Sequence, residues 1–258
     1  MSQPLDLPKL HEHLAMLGLL ASTLSHEIRN PLGALSLLID VLAEELQQSA
    51  ADHLAQVAEI LTDMRTALSR MDDLVQDYLS LARLAELPLE SVELGAIVET
   101  YAQEMHKWCA DCGITLRLDG LSSLGQVKLH QNAFRRVLTN LIQNAIDAMP
   151  QGGKLTLCGR QAGSWACLAV QDTGEGIPAD QLSQLFVPFH TTKPGGTGLG
   201  LYIVREILAA HSGVITVTSI PGTGTTCLLR LPLVALENGS KPLDSTEPTT
   251  PCSHHMPQ

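Results

Sequence analysis

Apolar residues recur every three or four positions through the first third of the chain. They fall at Leu14, Leu17, Ala21, Leu24, Ile28, Pro31, Leu35, Leu38 and Leu42. The same spacing resumes at Leu54 and runs through Val57, Leu61, Met64, Leu68, Met71, Val75, Tyr78, Ala82 and Ala85. Alternating steps of three and four keep one stripe of a helix pointing one way, so the pattern predicts two helices joined by a short connection near 49–52. Two such helices cover only half of each other's stripe. A second copy that closes a dimeric four-helix bundle is the expected way to bury the rest.

The heptads stop at Leu87-Pro88-Leu89-Glu90, where a strand-like stretch begins. Beyond it the pattern predicts a helix over 95–109, a strand over 114–118 and another around 127–129. A strongly two-faced helix follows and ends at Met149-Pro150-Gln151-Gly152-Gly153. Alternation over 154–158 and 165–171 predicts a hairpin. A helix over 199–211 and strands over 214–219 and 226–231 complete the set, the last two linked by Pro221-Gly222-Thr223-Gly224. Strands and helices in this order predict an α+β two-layer sandwich, a mixed sheet with helices on one face. The expected organisation is a short segment 1–13, a helical hairpin 14–86, a linker 87–93, a second domain 94–234 and a tail 235–258. The tail is rich in Pro, Ser and Thr and is expected to be disordered.

Polar positions carry the chemistry. On the two-faced helix, Asn140, Asn144 and Asp147 fall within about 60° of one another, opposite Leu138, Leu141, Ile142, Ala145, Ala148 and Met149. Oxygen-bearing side chains on one strip suit a hard cation such as Mg²⁺ carrying a nucleotide; a solvated face is the alternative. On the first helix, with Ala21 and Ile28 at position a, His26 takes the most outward site of the heptad, and Asn30 lies one turn on. Pro31 removes the backbone bond to residue 27 and should kink the helix there. An accessible imidazole beside the Glu27 carboxylate, which can accept its proton, is a competent nucleophile.

Two glycine-bearing loops follow. Asp172-Thr173-Gly174-Glu175-Gly176-Ile177-Pro178 leaves a strand, and an aspartate at a strand end can accept a hydrogen bond from an exocyclic amine such as that of adenine. Gly195-Gly196-Thr197-Gly198-Leu199-Gly200-Leu201 opens directly into a helix. Free amides at a helix N-terminus, preceded by glycines, form a phosphate cradle. No hydrophobic strand precedes this loop, so it is not a dinucleotide-binding turn, and no Walker-type Lys-Ser/Thr follows.

Totals exclude several classes. A formal net charge of −11 argues against nucleic acid or an anionic membrane surface as partner. An aromatic content of 3% disfavours base-stacking surfaces. No signal peptide and no apolar run near 18 residues is found, so no membrane insertion is expected. Six scattered cysteines fit a reducing, cytoplasmic setting better than a disulfide framework.

The order of these motifs resembles the two-component sensor histidine kinases over about residues 14–232. His26-Glu27-Ile28-Arg29-Asn30-Pro31-Leu32 looks like the phosphoacceptor box of the dimerisation domain, and Asn140 to Ala148 like the asparagine box. Asp172–Gly176 and Gly196–Gly200 are similar to the two glycine boxes, and Phe186–Lys193 to the phenylalanine box. The wording is nearest the nitrogen-regulator type. The resemblance implies a helical dimerisation hairpin followed by an ATP-binding domain of the gyrase, chaperone and kinase superfamily (the Bergerat fold), with ATP and Mg²⁺ as cofactors. His26 would take the γ-phosphoryl group and Glu27 its proton. Asn144 would hold Mg²⁺, supported by Asn140, with Asp147 on the same strip. Asp172 would read the adenine amine above a floor shaped by Gly174 and Gly176. Gly196, Thr197, Gly198, Leu199 and Gly200 would form the lid, and Lys193 would reach the phosphates. Asn30 matches the position that orients water for dephosphorylating a receiver.

The implied partners are a second copy of the chain and a response-regulator receiver domain. With some 13 residues before the seam, no input domain is expected there. Either a separate sensory protein delivers the signal or the bundle itself senses something. His106-Lys107-Trp108-Cys109-Ala110-Asp111-Cys112 has spacing suited to zinc or redox chemistry, without a second ligand pair. His130 stands where the family commonly carries an acidic residue. His11-Glu12-His13 and Cys252-Ser253-His254-His255 read as surface and tail residues.

Overall fold

The computed structural model describes residues 28–42, 53–83, 88–193 and 196–234. They divide into two compact units. One holds the helices up to Arg83 together with Thr191–Thr197, and the other holds Leu84–His190 and the chain from Gly198 onward.

In the first unit, helix α1 spans 28–42 and helix α2 spans His53–Arg83. On α1 the predicted seam is the inward face: Pro31 and Leu35 are buried, and Ile28, Leu38 and Leu42 half-buried. Among the described side chains of α2, Ile60, Leu74 and Asp77 are buried, the seam residues Val57, Met64, Met71 and Tyr78 are half-buried, and the seam residues Leu61, Leu68 and Val75 stay exposed. Leu32, Leu37, Ile39 and Val41 of α1 are exposed as well. An apolar stripe wider than one neighbour can cover is the pattern of a helix with a second packing surface. Among the described residues, no helix is long and apolar enough to cross a membrane.

The second unit is built on a five-stranded sheet, with β2 (Ile114–Asp119), β4 (Gly153–Ala162), β5 (Trp165–Asp172), β7 (Gly224–Pro232) and β6 (Val214–Ile220) side by side in that order. β2 runs parallel to β4, and every other pairing is antiparallel. This is the mixed sheet the sequence predicts, including the β4–β5 hairpin. A two-stranded sheet pairs β1 (Glu90–Glu93) with β3 (Gln126–Leu129), so the expected linker 87–93 ends in a strand. Helices α3 (Leu94–Asp111), α4 (Gln131–Asp147) and α6 (Gly200–Ala210) pack on the large sheet and on one another, and a single turn, α5, covers Ala179–Leu182.

Sequence alternation decides which strand faces make the core. Leu155 and Leu157 of β4, Leu168 and Val170 of β5, and Leu229 and Leu231 of β7 are all buried. Against them α4 presents Phe134, Val137, Leu138, Leu141, Ile142, Ala145 and Ile146. Each large apolar side chain so buried contributes roughly 1.5–3 kcal/mol, an upper range, against about 1 kcal/mol for a typical hydrogen bond. The apolar face therefore holds α4 in place, and its polar strip is not needed for folding. α6 is fixed in the same way through Tyr202, Ile203, Val204, Ile207 and Leu208.

Candidate functional site

Two histidines anchor α4 at its start. His130 is the N-cap, and its Nδ1 accepts from the Ala133 amide at 3.2 Å. Through Nδ1 the imidazole satisfies one orphan amide of the first turn, at a position where the resembling family commonly carries an acidic residue. The His130 amide in turn donates to Nε2 of His211 at 2.9 Å, and His211 Nδ1 lies 2.6 Å from the Ile207 carbonyl. An accepting Nε2 requires the proton on Nδ1, so His211 is neutral. Burial lowers its pKa, the bond to Ile207 opposes this, and His130 nearby lowers it further.

Along the polar strip, Asn140 Nδ2 donates to the Gly200 carbonyl at 3.3 Å, which ties the strip to the first residue of α6. One turn further, Gln143 Nε2 donates to Asp147 Oδ1 at 2.6 Å. Asn140 and Asn144 are half-buried and Asp147 is exposed. Among the described residues no cluster of three or more His, Cys, Asp or Glu could hold a metal. The donors on α4 are uncharged carboxamide oxygens with one carboxylate. They fit Mg²⁺ that keeps phosphate and water ligands, not an ion caged by protein alone.

The Asp172 loop is pinned from three sides. Asp172 Oδ1 accepts from the Gly174 amide at 2.9 Å and from the Thr225 amide, at the start of β7, at 3.1 Å. The Glu175 amide donates to the Ala148 carbonyl at the end of α4, and its carbonyl accepts from Gly222 at 2.6 Å. Ser219 Oγ accepts from the Ile177 amide at 2.8 Å and bonds on to Gly224 and Thr225. Both glycines are required. A Cβ on Gly174 would sit 2.5 Å from the Ala148 carbonyl oxygen, and Gly176 has φ +71. The result is a rigid floor carrying a carboxylate at the end of a central strand. Burial pushes the neighbouring Cys227 thiol up to about 12, and the charge of Asp172 adds to the shift, so this cysteine stays a neutral neighbour.

The second glycine loop is divided. Thr191–Thr197, with the candidates Lys193, Gly196 and Thr197, belongs to the helical unit, and the candidates Gly198, Leu199 and Gly200 belong to the sheet unit. Thr197 Oγ1 donates to Asp77 Oδ2 of α2 at 3.3 Å, and Asp77 is only 6% exposed. Lys193 is exposed. On the sheet unit, Leu199 is buried and precedes α6 directly.

Of the phosphoacceptor box, His26 and Glu27 lie outside the described residues, and Asn30 is exposed on α1. The sheet unit thus assembles Asn140, Asn144, Asp147, Asp172, Gly174, Gly176 and the entry to α6. Three contributors escaped the sequence reading. Thr225 and Ser219 hold the floor through contacts between neighbouring strands that no local motif marks. Arg205 lies over Tyr202 at 5.0 Å and over Phe186, in the phenylalanine box, at 6.0 Å; no local signal marked it.

Comparison with known proteins identifies the family. Residues 16–87 match the His Kinase A (phospho-acceptor) domain, and residues 129–235 match the histidine kinase-, DNA gyrase B- and HSP90-like ATPases. Sensor histidine kinase ZraS of Escherichia coli (strain K12) is 35% identical over 228 residues, covering 88% of this chain and 48% of that protein. The structure of full-length ShkA in complex with AMPPNP superposes with a TM-score of 0.60 at 27% identity, covering 83% of this chain and 46% of that one. ThkA, solved in complex with response regulator protein TrrA, gives a TM-score of 0.69 at 24% identity over 87% of this chain and 64% of that one, a likeness of fold. The chain belongs to the histidine kinases and carries both a phospho-acceptor domain and an ATPase-type domain. It spans about half the length of the ZraS relatives it matches.

Proposed function

We propose that this chain transfers the γ-phosphoryl group of ATP to His26 and passes it to an aspartate of a response-regulator receiver domain. The observation that carries the reading is the Asp172 carboxylate, held by two backbone amides at a strand end, in a loop whose Glu175 amide bonds to Ala148 at the end of α4. Asp172 recognises the adenine amine, and the pinned loop through Gly174 and Gly176 forms the floor beneath the base. Asn144 would hold Mg²⁺, supported by Asn140, with Asp147 at the end of the strip. When bound, that ion neutralises phosphate charge. Gly196, Thr197, Gly198, Leu199 and Gly200 close over the phosphates, and Lys193 adds a point charge. Glu27 takes the proton of His26. Positioning and charge neutralisation account for most of the catalysis in such a transfer.

The domain reading follows the same lines: a dimerisation and phosphotransfer hairpin over 14–86, a linker 87–93 whose stretch leading into β1, from Leu87 to Glu90, acts as hinge, and a catalytic domain over 94–234. The exposed apolar positions of α1 and α2 support a homodimer. Asn30, exposed one turn after His26, supports a second activity, hydrolysis of the phosphorylated receiver. A gyrase- or chaperone-type ATPase is disfavoured, because Asn140 stands where those enzymes place a catalytic glutamate.

The test is calorimetric titration with a non-hydrolysable ATP analogue, with and without Mg²⁺. Binding that strengthens with Mg²⁺ and fails for GTP analogues is expected; equal binding of guanine and adenine nucleotides would contradict the role of Asp172.

A further inference from the structure

The Cys109–Cys112 pair is used by nothing described above. Cys109 sits in the last turn of α3 and is fully buried, while Cys112 is the C-cap and is exposed. Both thiols are free. The Cys112 amide still bonds to Trp108 and Cys109, each at 3.1 Å, so the helical path extends through both residues. Three helical steps separate Cα atoms by about 5 Å, inside the range a disulfide spans. Of the other described cysteines, Cys158 and Cys167 are buried in the sheet, without an exposed member, and Cys227 is the high-pKa thiol beside Asp172.

The helix end is joined to the Asp172 floor by short links. Gly113, next after Cys112, accepts at its carbonyl from the Gly153 amide at 3.3 Å. The Lys154 amide donates to Thr173 Oγ1 at 3.0 Å, and Thr173 immediately follows Asp172. In register, Ile114 of β2 faces Gly153, and Leu155 of β4 faces Asp172.

We propose that Cys109 and Cys112 form a reversible redox site, closed to an intrachain disulfide by a low-molecular-weight disulfide, and that closure weakens nucleotide binding at the Asp172 loop. The exposed Cys112 thiolate attacks the oxidant R–S–S–R, forming a mixed disulfide and releasing one R–S⁻. The Cys109 thiolate then attacks Cys112 Sγ and displaces the second R–S⁻. The two protons lost by the cysteines are gained by the two leaving thiolates, and the oxidant takes the electron pair. Burial of Cys109, reinforced by Cys112, raises its pKa, so closure speeds up with rising pH. Drawing Cys112 inward shifts Gly113 and with it the bond to Gly153. The effect on binding rests on the nucleotide reading of Asp172; the disulfide does not.

The test uses the full chain with Cys252→Ser, equilibrated with mixtures of oxidised and reduced glutathione, then alkylated, digested and weighed. The peptide carrying both cysteines should lose two hydrogen atoms reversibly, and the bridged protein should bind an ATP analogue several-fold more weakly. Cys112→Ser should show neither change. Accumulation of a glutathione adduct on Cys112 without closure would overturn the site, and a bridged chain with unchanged affinity would overturn the coupling. Bridging in a chain that binds no nucleotide in either redox state would refute the reading of Asp172 while leaving the disulfide intact.

Discussion

Asn140 on α4 and Gly200 at the start of α6 are joined across 60 residues of sequence by one hydrogen bond, Nδ2 to carbonyl, at 3.3 Å. The bond makes a single carboxamide answer for both the α4 strip and the position of the lid-side helix. Asn140→Ala removes it without touching the apolar face of α4. The fold should survive with a loss of about 1 kcal/mol, while affinity for an ATP analogue falls about tenfold. Thermal unfolding and calorimetry on one preparation separate the two; a stability loss with unchanged affinity would contradict the assignment.

Asp172 has a structural acceptor and a recognition role in the same side chain. Asp172→Asn keeps an oxygen for the Gly174 and Thr225 amides, so stability should fall by only about 1 kcal/mol as the charge-assisted bonds weaken. Its added amide donor, however, opposes the adenine amine, and affinity should drop far more than tenfold. Asp172→Ala should lose both stability and binding. Denaturant unfolding beside nucleotide titration of the two variants tests this.

Glycine requirements differ sharply by position. Gly174→Ala forces a Cβ within 2.5 Å of a backbone oxygen, so the floor must shift, with a fall of several degrees in melting temperature. Gly33→Ala on α1 meets nothing within 4 Å and should stabilise the exposed helix by up to about 1 kcal/mol. Opposite signs are expected in a thermal melt.

Buried His211 predicts a pH dependence. Its folded pKa lies below the ordinary value near 6.5, so the unfolded chain binds the proton first. The stability it contributes is complete above about pH 6.5 and declines as the pH falls from there toward the lower folded value. Urea midpoints between about pH 5 and 7.5 should show this slope. His211→Gln, which can still donate to Ile207 and accept from His130, should flatten it relative to the parent chain.

Much of this was legible in the sequence because the patterns were strong and local. The Asn140 helix was readable from its two faces, and the hairpin from its alternation. The α1 seam was readable from Ile28 to Leu42. On α2 the spacing could not tell which half of a broad stripe is buried: among the described side chains Ile60 and Leu74, off the predicted seam, are buried, while Val57, Met64, Met71 and Tyr78 of the seam are half-buried. His130 looked like a departure from the family because capping depends on one backbone amide, and its partner His211 lies 81 residues away. The floor contacts of Thr225 and Ser219 depend on β6, β7 and β5 lying side by side, which no local pattern encodes. The division of the glycine loop between two units was equally invisible.

The helical stripe predicts assembly. Leu68, 55% exposed on α2, should lie in a dimer interface, so Leu68→Glu should convert a dimer to a monomer in light scattering while leaving ATP-analogue binding unchanged. A parent chain that is monomeric at high concentration would contradict this.

The central claim is that the phosphoryl group reaches His26. The direct measurement is incubation of the purified chain with γ-labelled ATP and Mg²⁺, beside a His26→Gln variant. Label that is acid-labile and alkali-stable on the parent, and missing from the variant, is the predicted result. Label that persists in the variant would contradict the account.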